Sequence, residues 1–192
     1  MYELKNDELV FAKVRPDAII PTKEDGNAGY DIYAEFTGDY MVIAPNTTRL
    51  IPTGIASAMT DNWYLQVEER GSTGSKGIKK SAGVVDSNYR GEIFIAISNV
   101  NAVPIIISKY DKEELFKSYA FAYKHKMLLD DRVEQCNHEL DITDAIIYPY
   151  SKAIAQLVVH EVPKMKVKEI SYDMLAGIPS TRGVGALGSS GK

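Results

Sequence analysis

Short runs of apolar and β-branched residues, separated by clusters of turn-forming residues, make up most of the chain up to about residue 100. The runs have the length of strands, and the intervening clusters, such as EDGNAG and DSNYRG, are typical of tight turns. Short strands joined in this way predict an antiparallel sandwich or barrel. A similar run near the end resumes the pattern. The predicted strands cover residues 9–14, 40–44, 63–69, 92–100 and 153–162.

The region from about residue 101 to 149 has a different pattern. Apolar residues within 111–127 recur at the spacing of one helix face, and Asp111 stands where an N-cap is expected. Glu113 precedes Lys117 by four residues, which is a favourable spacing on a helix. We predict a partly helical insertion at 101–149, with its helix beginning near Asp111.

Composition limits the function. With 192 residues, of which 45% are hydrophobic and 25% charged, the chain can form one domain, 1–192, around one sizeable core. The net charge of -4 argues against general binding to nucleic acid. No run approaches the ~20 apolar residues of a membrane span, and the start does not resemble a signal peptide. The single cysteine, Cys136, fits a reducing compartment. We therefore expect a cytoplasmic protein that binds neither nucleic acid nor membrane.

Two segments in the first half carry candidate chemistry. AGYDIYA places Asp31 just after a glycine, although this pattern is also that of an ordinary turn into a strand. RGSTGSKGI begins with Arg70 and continues with small residues whose backbone N–H groups can bind an anion. A plain loop is the alternative for the second segment.

A third segment, GVVDSNYRGEI, is more specific. Asp86 follows an apolar run, and a Ser-Asn turn brings Tyr89 within three positions of it. A carboxylate held at a strand end can take a proton from water, and a neighbouring ring can pack against a sugar. A solvated hairpin turn is the alternative.

Two further segments lie near the end of the chain. AIAQLVV is a strand interrupted by the polar Gln156. The tail, 180–192, is rich in glycine, which leaves the backbone free to wrap around phosphates, and Arg182 can add a bidentate contact. A flexible terminus is the alternative for the tail.

In their order and spacing, the five segments resemble the five motifs of the homotrimeric dUTPase family. The resemblance implies an all-β, jelly-roll-like subunit, three subunits around an axis, and active sites at the subunit interfaces. It implies hydrolysis of dUTP to dUMP and pyrophosphate. It also implies Mg²⁺ that is held by substrate phosphates and water rather than by protein ligands.

The resemblance assigns roles to individual residues. Asp86 matches the general base that activates water, Tyr89 matches the residue that packs against the deoxyribose, and Asp31 belongs to the first motif. The other matches are Gly83, Val84 and Val85 in the hairpin that pairs with uracil; Arg70, Gly71, Ser72 and Gln156 at the phosphates; and Arg182, Gly188, Ser189 and Ser190 in the tail that closes over a neighbouring subunit's substrate.

Several positions depart from the family pattern and indicate a divergent branch. Ala186 and Leu187 stand where the family has a phenylalanine stacked over uracil, and Phe94 is a candidate replacement. Lys80 stands where some members have asparagine. Ala153 stands where the fourth motif usually has arginine.

Two other functions are compatible with such a chain. A dCTP deaminase shares this fold and a similar third motif, but it needs a glutamate at the position of Ile95. A regulatory binding module on the same fold needs no catalysis, and Asp86 with Tyr89 argues against an inactive enzyme. Catalysis and regulation can coexist in one protein.

The insertion at 101–149 resembles in position the extra segment of certain phage-encoded dUTPases, some of which bind repressors of mobile genetic islands. We therefore expect a phage or prophage origin, location in the host cytoplasm, and a repressor-like protein partner at 101–149. The alternative is that the segment braces the trimer or covers the active site.

Overall fold

The structure is a computed structural model that describes residues 2–115, 117 and 144–183. The chain divides into a unit of residues 1–162 and a unit of residues 163–192. Among the described residues, the first unit is built almost entirely of strands. They are β1 (Val10–Lys13), β2 (Gly29–Ile32), β3 (Tyr40–Ile43), β4 (Thr48–Pro52), β5 (Ile55–Ala58), β6 (Trp63–Glu68), β7 (Ile78–Lys80), β8 (Val84–Val85), β9 (Phe94–Asn99), β10 (Ile105–Ser108), β11 (Ile146–Pro149) and β12 (Ala155–Glu161).

The strands form four sheets, whose orders are β2-β12-β6-β8, β4-β9-β7, β11-β10-β3 and β1-β5. Every pairing is antiparallel except that of β10 with β11, which is parallel. All five strands predicted from the sequence are present within two residues of their predicted bounds. The prediction of an all-β, jelly-roll-like subunit is confirmed.

Isoleucine supplies much of the core because β-branched side chains fit the pleated surface of a sheet. On β9, Ile95 and Ile97 are buried, whereas Phe94 points away from the core and is 45% exposed. Burial of each such aliphatic side chain is worth about 1.5–3 kcal/mol. The alternation on β9 therefore fixes which face of the strand meets the core and which side chains remain for a site.

The region at 101–149, which the sequence predicted as an insertion, includes core strands near both of its ends. On β10, Ile105 and Ile107 enter the main core, and Ile106 packs with Leu115 in a second cluster. A strand buried on both faces reads as a continuous apolar run and lacks the alternation that marks other strands. Within 101–149, the residues between these two strands form the connection from β10 to β11.

The helix predicted in that connection begins where expected. Asp111 caps it, because the Glu114 backbone N–H donates to Asp111 Oδ1 over 2.9 Å. The predicted pair of Glu113 and Lys117 is also present, with 3.0 Å between Oε1 and Nζ. The rest of the predicted helix, beyond residue 117, lies outside the described residues.

Besides the helix that follows Asp111, the described residues include α1 (Gly71–Gly74), which closely follows β6, and α2 (Tyr172–Ala176), in the second unit. Ser171 caps α2 by accepting a hydrogen bond from the Met174 N–H, and α2 has no buried residue. No helix within 2–115 or 144–183 is both long and apolar enough to cross a membrane.

Candidate active site

An ion pair joins the first and second predicted motifs. Arg70 follows β6, and Asp31 lies on β2. The guanidinium binds the carboxylate with two nitrogens, at 2.9 Å between Nε and Oδ1 and 3.0 Å between Nη2 and Oδ2. Its third nitrogen, Nη1, donates to the Ala153 carbonyl over 3.4 Å. Arg70 thus connects β2, β6 and the turn before β12.

Gln156, from the fourth motif, braces the same region from within the sheet. Strand β12 lies between β2 and β6, and the Gln156 amide donates to the Glu69 carbonyl over 2.8 Å. The side chain also lies directly over Gly29, where an added Cβ would be 2.5 Å from Gln156 Oε1. This close approach explains why glycine precedes Tyr30 and Asp31 in the first motif.

A cleft of about 370 Å³ opens beside the Asp31–Arg70 pair, and we call it the basic cleft. Its lining side chains include three cations, two serine hydroxyls and two tyrosines. They are Arg70, Lys76, Lys152, Ser72, Ser151, Tyr33 and Tyr148. Cations and hydroxyl donors gathered in a concave surface suit an anionic ligand.

Tyr148 forms part of the buried wall of this cleft. Its hydroxyl donates to the Ala153 carbonyl over 2.6 Å, and its side chain is 1% exposed. Burial raises the pKa of Tyr148 above its ordinary value, and the nearby Arg70 opposes that rise. A tyrosine hydroxyl is protonated at neutral pH even at its ordinary pKa, and this rise works in the same direction, so the hydroxyl remains a hydrogen-bond donor.

Gly71 and Ser72 form the first turn of α1 beside the basic cleft. Thr73 closes this turn, since its hydroxyl accepts from the Arg70 backbone N–H over 3.0 Å. The first N–H groups of a helical turn have no partner within the turn, so those of Gly71 and Ser72 are available to a ligand. The second motif therefore combines a cationic side chain with backbone donors.

The third motif lines a different cleft, of about 280 Å³, which we call the hairpin cleft. Val84, Asp86, Tyr89 and Phe94 contribute to its lining. Asp86 is exposed at the turn, and the Tyr89 N–H donates to the Asp86 carbonyl over 3.1 Å. The structure therefore brings together the two residues that the sequence assigned to the base and the sugar contact.

Gly83 fixes the start of this hairpin against β6. Its carbonyl accepts from the Val67 N–H over 2.7 Å, and β8 pairs with β6 through Val84 and Val85. A Cβ at position 83 would be 2.5 Å from the Gln66 amide nitrogen and 3.0 Å from the Val67 carbonyl oxygen. Glycine is favoured because the backbone passes so close to β6.

Glu92 holds the other end of the hairpin, a role that the sequence did not reveal. Its carbonyl accepts from the Tyr89 hydroxyl over 3.0 Å. Its carboxylate binds Arg15 twice, at 3.2 Å to both Nε and Nη2, and accepts from the Gly54 N–H over 2.8 Å. A Cβ on Gly91 would clash with the Tyr89 hydroxyl. Glu92 and Gly91 together therefore set the orientation of the Tyr89 ring.

The predicted site residues thus fall into separate groups. The two clefts share no lining residue in the described part of the chain, and Gln156 lines neither. Arg182 lies in the second unit, where its backbone N–H donates to the Ser180 hydroxyl. The tail residues Gly188, Ser189 and Ser190 lie outside the described residues.

Comparison with known proteins decides the family. Residues 15–112, half of the chain, match the dUTPase family model. The chain belongs to the dUTPase family. The deoxyuridine 5'-triphosphate nucleotidohydrolase of Leptospira interrogans is 33% identical over 104 residues, which cover 52% of this chain and 71% of the relative. The Mycobacterium tuberculosis enzyme is 28% identical over 189 residues, which cover 95% and 94%.

Solved dUTPases of staphylococcal phages share the fold. The enzyme of Staphylococcus bacteriophage 80alpha with dUpNHpp aligns with a TM-score of 0.66 and 20% identity over 97% of this chain and 99% of its own. A mutant of the dUTPase from phage phi11 of S. aureus, which coordinates a structural Mg(II) ion, aligns with a TM-score of 0.58 and 20% identity over 85% and 97%.

Within the dUTPase fold, a buried isoleucine occupies the position at which the sequence comparison expects a glutamate in a deaminase. Ile95 is fully buried on β9, directly beside the exposed Phe94. Because side chains alternate along a strand, residue 95 points into the core when residue 94 points into the hairpin cleft. The expectation that deamination is disfavoured agrees with this burial.

We expect Glu92→Ala to lower the free energy of unfolding by about 1–3 kcal/mol, because it leaves Arg15 and the Gly54 N–H without their partner. Arg15 is 34% exposed, so solvent screens part of the loss. Glu113→Ala is the matched control, since it removes an equally close but exposed pair and should cost at most about 0.5 kcal/mol. Urea unfolding at fixed protein concentration measures both variants. Equal losses would contradict the clamp.

Proposed function

We propose that this chain hydrolyses dUTP to dUMP and pyrophosphate in the cytoplasm, with Asp86 as the general base. Such an activity limits uracil incorporation into DNA and supplies dUMP. The observation that carries the proposal is the juxtaposition of Asp86, Tyr89 and the hairpin backbone in one cleft of a dUTPase-family fold. The Asp86 carboxylate is exposed at the turn and therefore accessible to water.

In the proposed reaction, Asp86 accepts a proton from a water molecule as the water oxygen attacks the α-phosphorus. The new bond forms between that oxygen and the α-phosphorus, and the bond from the α-phosphorus to the bridging oxygen of the β-phosphate breaks. Pyrophosphate leaves with the electron pair. Because the hairpin is fixed at Gly83 and at Glu92, the backbone that carries the Asp86 carboxylate is held in position before substrate arrives.

The hairpin supplies recognition of the nucleoside. The backbone of Gly83, Val84 and Val85 would pair with uracil, and its fixed donors and acceptors would reject cytosine. Tyr89 would pack against the deoxyribose face and leave no room for a ribose hydroxyl. Phe94 lines the same cleft and is 45% exposed, which supports it as the aromatic replacement for the position now held by Leu187.

The basic cleft would bind the phosphates. Arg70, the Gly71 backbone and Ser72 supply donors beside it. Gln156 would act by positioning β6 and Arg70, in place of the direct phosphate contact predicted from the sequence, since its amide is bound to the Glu69 carbonyl. The tail would close over the phosphates of a neighbouring subunit through Arg182, Gly188, Ser189 and Ser190.

A homotrimer would complete the site. In the described residues, the hairpin cleft holds Asp86 and Tyr89 but no lysine or arginine, whereas the basic cleft holds the cations but no candidate base apart from the paired Asp31. A hairpin cleft from one subunit placed against the basic cleft of the next would unite the two sets of groups. This need for both sets supports sites shared between subunits.

Mg²⁺ would enter with the substrate. Within the described ranges there is no group of three His, Cys, Asp or Glu side chains that could hold a metal ion, and both Asp31 oxygens bind Arg70. This donor set fits Mg²⁺ held mainly by phosphates and water. When bound there, Mg²⁺ supplies charge neutralisation of the phosphate oxygens.

A second function, binding of a repressor-like protein, is proposed for the connection between β10 and β11. A parallel pair requires a crossover of about a dozen residues or more, and residues 109–145 exceed that. This connection contributes none of the assigned site residues.

The 80alpha phage dUTPase controls the transfer of virulence genes by a G protein-like mechanism. A phage origin would place this chain in a host cytoplasm.

We expect Asp86→Asn to retain nucleotide binding and to lower kcat by about 10² to 10⁴, because the amide keeps the shape but cannot accept the proton. Steady-state hydrolysis of dUTP with Mg²⁺ gives kcat, and calorimetry with a non-hydrolysable analogue gives affinity. Asp61→Asn, an exposed aspartate outside both clefts, is the control. Near-normal turnover by the Asp86 variant would reject Asp86 as the base.

We expect Phe94→Ala to raise KM for dUTP about tenfold, near the lower end of the roughly 1–3 kcal/mol that base–aromatic stacking contributes. Phe94→Tyr should keep the wild-type KM because the ring is retained. Val100→Ala, an exposed apolar residue outside both clefts, is the control. If Phe94→Ala and Val100→Ala give the same KM, Phe94 does not stack on uracil.

For the connection, we expect replacement of residues 118–143 by a short glycine- and serine-rich linker to leave dUTP hydrolysis and trimer mass within about twofold of wild type, because the change keeps the buried Leu115 and a crossover long enough for the parallel pair. Light scattering and steady-state kinetics check both properties. Collapse of either one would favour the alternative that the segment braces the trimer or covers the site.

A further inference from the structure

We propose that Lys76 and Lys152 bind the phosphate chain of the substrate. Through this contact they make the enzyme bind a triphosphate more tightly than a shorter phosphate chain. This inference rests on the proposed function and concerns two residues that the motif comparison did not assign. Both side chains line the basic cleft and are exposed to it. They come from two turns that are distant in sequence.

The positive charge of Arg70 is already compensated. Its Nε and Nη2 bind both oxygens of Asp31, and Nη1 donates to a carbonyl. A guanidinium has five N–H groups, so some donors remain for a phosphate oxygen, but the net charge of the pair is zero. Arg70 can therefore orient a phosphate without supplying the charge that a triphosphate requires.

Lys76 and Lys152 supply the uncompensated charge of the cleft. No ion pair involves either lysine within the described part of the chain. Their neighbours differ, since Lys79 pairs with Glu69 at 3.2 Å and Lys80 pairs with Glu68 at 3.0 Å. Of the three lysines that follow Arg70 up to position 80, Lys76 is thus the one left to face an anion.

The backbones of both lysines are held in turns. The Lys76 N–H donates to the Thr73 carbonyl over 3.0 Å, and its carbonyl accepts from the Asn101 side chain over 2.9 Å. The Lys152 N–H donates to the Pro149 carbonyl over 3.0 Å. The Lys76 ammonium also lies 5.7 Å from the ring centroid of Tyr148, the buried wall of the cleft. Because both backbones are fixed, the two ammonium groups stay near the cleft that both side chains line.

Charge explains the expected selectivity. A triphosphate remains anionic even with one Mg²⁺ bound, whereas a monophosphate has much less charge to neutralise. Two unpaired ammonium groups in one cleft therefore favour the longer phosphate chain. They also favour release of dUMP after pyrophosphate has left, because the product no longer spans both lysines.

The test uses Lys76→Ala, Lys152→Ala and the double variant of the full chain. Each single change should raise KM for dUTP about tenfold, and the double change about a hundredfold, with kcat within about threefold, as expected for the loss of charge-assisted hydrogen bonds. Inorganic tripolyphosphate, titrated by calorimetry, should lose affinity in parallel. Arginine at both positions should restore most of the affinity.

Lys13→Ala is the control, since it removes the same charge outside both clefts and should change neither constant. Raising the salt concentration should increase the wild-type KM more than that of the double variant, because screening acts on charges that are still present. An unchanged KM in the double variant of an enzyme that hydrolyses dUTP would overturn this inference and leave the proposed function standing. A fall in kcat with constant KM would also overturn it.

If the wild-type chain does not hydrolyse dUTP, the proposed function fails separately. Tripolyphosphate binding then still decides the role of the lysines: loss of that binding in the double variant supports them as phosphate ligands, and equal binding by wild type and double variant overturns them.

Discussion

The bidentate ion pair between Asp31 and Arg70 is the constraint on which the basic cleft depends. It spans β12 and ties β2 to the end of β6, while Gln156 fills the space over Gly29 and binds the Glu69 carbonyl. Asp31 and Arg70 are each about a third exposed, so the pair contributes at most about 1 kcal/mol to stability. Its importance is geometric. The pair fixes where α1 begins. It also compensates the charge of Arg70, so that Lys76 and Lys152 are the cations of the cleft whose charge is available to an anionic ligand.

A comparable clamp orders the other cleft. Glu92 binds Arg15 and the Gly54 N–H with its carboxylate and holds the Tyr89 hydroxyl with its carbonyl. Gly83 fixes the opposite end of the same hairpin on β6. Rigid attachment at both ends suits a turn that carries Asp86, the proposed general base, because a displaced carboxylate would lose most of its effect. Each cleft is therefore ordered by its own half-buried ion pair, and in the part of the chain that the structure describes neither cleft contains all the groups proposed for catalysis.

Sequence reasoning found the parts of the structure that local chemistry encodes. Alternation predicted strands such as β6 and β9, and the turn after Val85 placed Asp86 beside Tyr89. Sequence reasoning assigned the run at 105–107 to an insertion, because a strand buried on both faces lacks the alternation of apolar and polar residues that marks other strands. It also missed Tyr148, Lys76 and Lys152, which reach the basic cleft only through the pairing of distant strands. The charge balance that distinguishes Lys76 from its neighbours depends on where the side chains of Glu68 and Glu69, at the end of β6, lie. Sequence spacing alone does not reveal this.

The central claim is that one site takes its base from one subunit and its phosphate-binding groups from another. Co-expression of Asp86→Asn with Arg70→Ala tests it most directly, since each variant alone lacks one half of every site. Random assortment in a closed trimer should restore about one site in four, so the co-expressed protein should regain roughly a quarter of the wild-type activity. Failure to regain activity in trimers shown by native mass spectrometry to contain both variants would contradict the claim.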